Sequence, residues 1–293
     1  MSNYRHGVLM ILGSAFFLST SGIGLRIIEQ ANGWQILFYR SISMMLMVFV
    51  VLAFTHRGQV IARFRRLTGE DWLLAVVLGS GFVAYVFALL ETTVANALFI
   101  FSSAPFIAAV LGWLILRERV APRTWVAIAA AMIGLGIMVG GGLTGERQLG
   151  NLIALWLPLS YSISVILVRR SKQPDMLVAL CLAAGVATLS TLPFVGEFSI
   201  SVHDLGVSLY LGMFQVGAGF ILMVLGARYV PAAQVGLLAL VEPVLGPLWA
   251  WFVVAEMPAQ VTLLGGAIIL GAVGLDGIIS IARKNPGSAD GNR

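Results

Sequence analysis

Charge is scarce in this chain. Of its 293 residues, 11% are Asp, Glu, Lys or Arg and 59% are hydrophobic, against roughly 25% charged in soluble domains. That leaves too little polar surface to cover a water-facing globule, so the outer surface has to face lipid. Cysteine is almost missing as well. Cys181 stands alone in the apolar stretch 176–193, which excludes an intrachain disulfide and a cysteine-based metal site and leaves a small buried side chain. The three histidines, His6, His56 and His203, fall at or outside the ends of apolar runs. No His/Asp/Glu cluster has metal-ligand spacing, no nucleophile is paired with a base, and no phosphate-binding loop of an ATPase occurs. These absences speak against a membrane enzyme, a metal or other cofactor, and direct use of ATP.

What the chain does have is apolar length. A bilayer core requires about 20 apolar residues per helix, and on that scale spans fall near 7–29, 33–54, 71–91, 93–116, 121–141, 149–169, 176–195, 205–228, 231–255 and 259–282. The first run is longer than a signal h-region and has no clear cleavage site, so it is expected to remain as a helix. Very short connections at Thr92, Glu118–Val120 and Val230–Pro231 force antiparallel neighbours.

The net charge of +5 does not point to nucleic acid, because the basic residues fill short loops. With both termini cytoplasmic, inside segments hold Arg5; Arg57, Arg63, Arg65, Arg66; Arg117, Arg119, Arg123; Arg169, Arg170, Lys172; Arg228; and Arg283, Lys284, Arg293. Outside segments hold Arg26 and Arg147, and Arg40 lies within the second span. The excess sets the orientation.

The chain also repeats itself. A constant offset of 138 residues, as between Gly79 and Gly217, lays spans 3–5 on spans 8–10 without a gap. Identities include Gly81/Gly219, Phe82/Phe220, Val86/Val224, Pro105/Pro243, Trp113/Trp251, Glu118/Glu256, Thr124/Thr262 and Gly136/Gly274. Compositional bias can explain matched alanines, but it explains poorly why proline, tryptophan and glutamate share one register. An odd number of spans per copy makes the second copy enter the membrane from the opposite side. The expected fold is therefore an all-α membrane protein of ten transmembrane helices in two inverted five-helix repeats, 1–145 and 146–283, with a cytoplasmic tail 284–293. Inverted repeats are common in transporters, with the solute site near the midplane.

The run Gly236-Leu-Leu-Ala-Leu-Val-Glu242-Pro243-Val, then Ala255-Glu256 and Gly265-Gly-Ala-Ile-Ile-Leu-Gly271, resembles the second half of an EamA-type drug/metabolite transporter. Its first-half counterparts are Ala104-Pro105, Arg117-Glu118-Arg119 and Gly134-Leu-Gly136. Phe38-Tyr-Arg40 is similar to the arginine-containing motif in the second span of such proteins. The resemblance covers essentially the whole chain. It implies a ten-helix basket with cytoplasmic termini that exports metabolites by alternating access from the bacterial cytoplasmic (inner) membrane. In size and character the chain is also similar to the bacterial aromatic amino-acid exporters of that family.

Ionisable groups deep in a membrane are functional candidates by default, and three lie inside spans: Arg40, Glu242 and Asp276. Glu242 is about 16 Å along span 9 at ~1.5 Å per residue. Pro243, which lacks an N–H, opens the helix beside it. Glu242 is either a partner for a solute ammonium or a protonatable coupling group, or else a carboxyl that satisfies broken backbone. Arg40, ~10 Å deep, either meets a solute carboxylate or locks helices together. Asp276 sits near the cytoplasmic interface. Glu118 and Glu256 read as symmetric structural residues, and Gly79, Gly81, Gly217 and Gly219 as small residues for close helix approach. Polar and aromatic candidates for the cavity are Tyr85, Ser103, Trp156, Ser160, Tyr161 and Gln215, with Pro105, Pro158 and Pro243 as hinge or helix-break positions. One deep base and one deep acid fit a zwitterion better than a phosphate ester, which calls for several Arg or Lys. The expected solute is an amino acid with an apolar or aromatic side chain. An amphiphilic cation is the alternative, and a passive channel the alternative of another class. The partners expected are this small solute and the lipid bilayer.

Overall fold

The computed structural model describes residues 2–56, 59–92, 103–117, 148–170, 175–230 and 232–254, with isolated positions between 97 and 133 and between 264 and 271. All regular structure among the described residues is helical. Most of expected spans 5 and 10, together with Glu118, Glu256, Asp276 and the tail 284–293, lies outside them.

In chain order, α1 (Ser2–Ser19) and α2 (Ser21–Arg26) make the first span, and α3 (Gly33–His56) the second. A short connector, α4 (Val60–Arg65), precedes α5 (Gly69–Glu91), the third span. Then come α6 (Ala104–Leu116), α7 (Gln148–Arg170) and α8 (Met176–Thr191). The eighth span is composite, with α9 (Val202–Tyr210), a π-helical stretch (Leu211–Ala218) and α10 (Gly219–Ala227) running on from one another. Span 9 is split into α11 (Ala232–Ala239) and α12 (Val241–Val254). Among the described residues, five helices are long and apolar enough to cross a membrane: Asn3–Arg26, Gly33–Thr55, Gly69–Glu91, Leu149–Val168 and Val202–Ala227. The seventh span is shorter than its expected 176–195, because α8 stops at Thr191 and the chain turns at 192–194.

The starts and stops follow from side-chain chemistry. Thr68 caps α5 in a reciprocal box: its Oγ1 accepts from the Asp71 amide at 3.4 Å while Asp71 Oδ2 accepts from the Thr68 amide at 2.8 Å. Glu70 and Asp71 also place negative charge in the first turn, where the helix dipole favours it. Asp175 and Ser201 cap α8 and α9 with one bond each, accepting from the Val178 and Asp204 amides. Between α1 and α2, Ser19 and Thr20 turn their hydroxyls back onto the Phe16 and Phe17 carbonyls, both at 2.7 Å, a bond pattern that bends helices.

The prolines divide into two kinds. Pro105 lies in the first turn of α6, where its missing N–H leaves no intrahelical bond unmade. Pro243 lies in the first turn of α12, after the interruption at Leu240. Positions 105 and 243 are repeat mates, and in both copies a helix restarts there. Pro158 departs from expectation: α7 runs unbroken through it. The expected break is absent, since removing one amide donor from a 23-residue helix leaves the flanking turns intact.

Lipid supplies no hydrophobic drive for helices to associate, so they pack through small residues. The tightest pairs are α5 with α7, α3 with α8, α5 with α8, and α1 with α10. A Cβ on Gly79 would come within 2.7 Å of the Ala183 carbonyl oxygen, and one on Gly226 within 2.8 Å of the Gly7 oxygen. Three buried apolar clusters result. One joins α3, α5 and α8 through Met44, Val48, Leu78, Phe82 and Leu180. The second joins α1 to α10–α12 through Ile11, Leu18, Met223, Leu240 and Val244. The third joins α5 and α7 through Ala84, Ala88, Ala154 and Leu157.

The two ends of this bundle are fastened differently. At the Gly33 end, the fully buried Asp204 carboxylate accepts the amides of Glu29, Gln30 and Ala31 at 3.0, 2.9 and 3.0 Å. Beside it, Gln35 Nε2 donates to the Glu197 and Ser199 carbonyls at 2.8 and 3.0 Å. At the His56 end, Arg63 meets Asp175 at 3.5 Å and Arg170 meets Glu70 at 4.0 Å.

Replacing Gly79 by Ala drives a methyl into the Ala183 backbone, and overpacking of this kind costs about 1–3 kcal/mol. The Gly79→Ala protein is expected to melt several degrees lower in detergent than the parent. Gly206→Ala has nothing within 4 Å of the added carbon and replaces a helical glycine, so its melting temperature should hold or rise.

Candidate functional site

The three apolar clusters meet around a cavity of about 90 Å³, part of it continuous with the exterior. Its wall is mostly apolar. Leu18 comes from α1, Leu78, Gly81 and Phe82 from α5, Leu157 from α7, and Phe220 and Met223 from α10. Set into this wall are Arg40, Tyr85, Ser160, Tyr161, Gln215 and Glu242, six of the residues expected from sequence.

Each polar group has a definite environment. Arg40, 5% exposed, directs Nη2 to Gln215 Oε1 at 3.4 Å, and its Cζ lies 5.6 Å from the centroid of the Tyr85 ring, within cation–π range. The Tyr85 hydroxyl shares a 2.7 Å hydrogen bond with Ser21 Oγ, which fixes the ring beneath the guanidinium. Gln215 donates its other end, Nε2, to the Leu18 carbonyl at 3.3 Å. Tyr161 donates to Met223 Sδ at 3.5 Å. Ser160 donates to the Leu157 carbonyl at 3.0 Å, so its hydroxyl serves its own helix.

Glu242, also 5% exposed, sits in the first turn of α12, where the partial positive charge of the helix N-terminus favours a carboxylate. Tyr85 and Tyr161 both stand within electrostatic reach of it. Among the described residues it makes no hydrogen bond or ion pair. Arg40 and Glu242 line the same cavity without forming a salt bridge, so one basic and one acidic group face the space separately.

Two of the residues expected from sequence lie outside this lining. Trp156 does not line the cavity. It is 38% exposed and donates Nε1 to Ser80 Oγ at 3.0 Å, because its position on α7 faces outward. Ser103 likewise lies outside the lining, its hydroxyl turned to the Ile100 carbonyl at 2.7 Å at the turn before α6.

Sequence reasoning missed the aromatic and sulfur wall: Phe82, Phe101, Phe220 and Met223. Phe82 and Phe220 meet edge to face at 5.3 Å, and Phe101 meets Tyr161 at 5.8 Å. A signal for the first pair was present, since Phe82 and Phe220 are repeat mates. Two mates of a two-fold repeat that touch each other must lie close to its axis. Among the described residues, no three of His, Cys, Asp and Glu come together as a metal site would require.

An amphipathic cavity enclosed by lipid-spanning helices is the property of a membrane protein that handles a small solute. The sequence pattern of the EamA-like transporter family matches residues 5–140 and again 148–275. The chain belongs to the EamA-like transporter family, a family of transporters and not of enzymes, consistent with the drug/metabolite transporter superfamily. An uncharacterized transporter of Archaeoglobus fulgidus is 30% identical over 193 residues, 65% of this chain and 69% of its own length. The Bacillus subtilis uncharacterized transporter YwfM is 26% identical over 233 residues, 75% of this chain and 78% of its own. An uncharacterized transporter of Clostridium kluyveri is 24% identical and covers 92% of both chains. A solved crystal structure 19% identical superposes with a TM-score of 0.78 over 93% of this chain and 97% of that one, a likeness of fold.

Water-filled and lipid-facing positions are separable by chemistry. In a protein whose native Cys181 is buried, a cysteine replacing the cavity residue Ala239 is expected to react with a water-soluble methanethiosulfonate. A cysteine replacing Leu155, exposed on the outside of α7, is expected to stay unreactive in liposomes because its surroundings are acyl chains. Mass spectrometry of the labelled protein reads both.

Proposed function

We propose that this chain is a secondary transporter that exports an amino acid with an apolar or aromatic side chain by alternating access around the cavity. The reading places it in a bacterial cytoplasmic membrane, as ten helices in two inverted five-helix repeats, 1–145 and 146–283, with cytoplasmic termini. The observation that carries it is the pair of opposite charges, Arg40 and Glu242, set apart on the wall of an otherwise aromatic and aliphatic cavity. A zwitterion brings the matching charges, carboxylate to Arg40 and ammonium to Glu242. Its side chain would lie against Phe82, Phe101, Phe220 and Met223. The alternative of a phosphate ester has a single cavity cation to meet it among the described residues.

The repeat supports the inverted arrangement through the Phe82/Phe220 contact and through helix restarts at both Pro105 and Pro243. The relatives in Bacillus subtilis and Clostridium kluyveri support a bacterial membrane. A second solute class, amphiphilic cations, is favoured by a specific feature. If the Gln215 amide and the Tyr85 ring satisfy Arg40 permanently, Glu242 becomes the counter-ion of a cation among aromatic rings.

Counterflow in proteoliposomes tests these readings. Unlabelled L-phenylalanine or L-leucine on the far side is expected to accelerate entry of the labelled amino acid, whereas a channel shows no such trans-stimulation. A hydrogen bond to a charged group contributes about 1.5–3 kcal/mol, so Glu242→Gln is expected to weaken amino-acid affinity roughly tenfold to a hundredfold. Exchange of a lipophilic cation that survives Arg40→Gln, with no amino-acid exchange in the parent, would move the assignment to the second class.

A further inference from the structure

We propose that Gln215, carried on the π-helical stretch Leu211–Ala218, is the positioning residue that sets selectivity for a carboxylate: it holds the Arg40 guanidinium on the cavity wall until the solute carboxylate takes its place. The inference rests on the amino-acid reading above and deepens it.

Gln215 is 1% exposed, and its amide bridges two elements. Oε1 accepts from Arg40 Nη2 at 3.4 Å, and Nε2 donates to the Leu18 carbonyl at 3.3 Å. Both distances lie beyond the usual range for such bonds, and the acceptor offered to Arg40 is neutral. A carboxylate offers two oxygens to the guanidinium fork in shorter, charge-assisted bonds roughly twice as strong. Among the described residues no carboxylate lies within ion-pair distance of Arg40. The resting partner of Arg40 is therefore one that a solute carboxylate displaces, and Gln215 keeps the side chain aimed at the space meanwhile.

The cavity residues of this span are Gln215, Val216, Phe220 and Met223. Gln215 lies within the π stretch Leu211–Ala218, and such stretches recur at functional sites. The stretch is also pressed against α3. A Cβ on Gly212 would overlap Ser43 Oγ and the Arg40 carbonyl, while Ser43 Oγ donates to that same carbonyl at 2.9 Å. The π stretch thus touches Arg40 at its backbone through Gly212 and at its side chain through Gln215.

The test measures binding of L-phenylalanine and of phenethylamine, the same side chain without the carboxylate, to the full-length protein in detergent. It compares the parent with Gln215→Glu and Gln215→Met, and a melting curve shows that each is folded. With Gln215→Glu an internal carboxylate neutralises Arg40, so phenylalanine affinity is expected to fall at least tenfold while phenethylamine affinity rises. With Gln215→Met the aim of Arg40 is lost, so phenylalanine affinity falls about fivefold or more and phenethylamine stays within twofold. Should Gln215→Glu not fold, Gln215→Met decides alone. Phenylalanine affinity within twofold of the parent in the folded variants overturns the inference and reduces Gln215 to packing. A parent that binds phenethylamine but not phenylalanine overturns the amino-acid reading, and this inference with it.

Discussion

A guanidinium held away from water has to be met from inside the protein, and the site is organised around that requirement at Arg40. An uncompensated charge at this depth costs several kcal/mol. Three spans contribute to the answer: the Tyr85 ring from α5, the Gln215 amide from the π stretch, and the Leu18 carbonyl from α1, which anchors Gln215 in turn. None of these partners is an anion, so the charge is accommodated but not neutralised. The same groups that make its burial tolerable therefore leave an electrostatic demand that a solute can fulfil.

Glu242 is accommodated by a different device. It needs no side-chain partner because the break at Leu240 starts a new helix directly before it, and the free amides of that first turn favour negative charge. Pro243 belongs to this arrangement, since a proline in a first turn forgoes no helix bond. The first repeat builds the same restart at Ala104–Pro105 without the carboxylate. The backbone interruption is thus a property of the scaffold, and the acid is an addition to it.

Much of this was legible in the sequence, and the limits have physical reasons. Apolar length and the 138-residue offset pointed to helices, their order and the paired prolines, because those features depend on local composition and on register. Arg40, Tyr85, Tyr161, Ser160, Gln215 and Glu242 were legible as rare polar groups at mid-span. Facing was the part that failed. Trp156 and Tyr161 lie on one helix, yet one bonds Ser80 on the outer side while the other meets Met223 at the cavity. In lipid both faces of a helix are apolar, so periodicity carries little information about which side is inside. Pro158 misled for a related reason: a proline signals a lost hydrogen bond, and whether the helix breaks depends on its neighbours. The π stretch has no sequence signature, so the bonds that Gln215 makes to Arg40 and to the Leu18 carbonyl were not legible.

The ends of the bundle bear on how such a site is opened. The Gly33 end is fastened by a buried carboxylate that accepts three backbone amides, with Gln35 and Tyr39 tying the 197–199 segment alongside. Hydrogen bonds to a charged group contribute about 1.5–3 kcal/mol each. Among the described residues, the His56 end is held by two ion pairs in which the Arg63, Arg170 and Glu70 side chains are exposed, and exposed pairs contribute about 0–1 kcal/mol. The unequal fastening means that separating α3 from the 194–204 segment costs more than separating α4 from the start of α8. Under the proposed orientation, with both termini cytoplasmic, the more strongly held end is the outer one. On the export reading proposed above, the more loosely held inner end is the one that parts first, to load from the cytoplasm. The same reading assigns the work of parting the Asp204 contacts to binding of the solute, and Arg40 and Glu242, unpaired with each other on the cavity wall, are the groups it assigns to that binding.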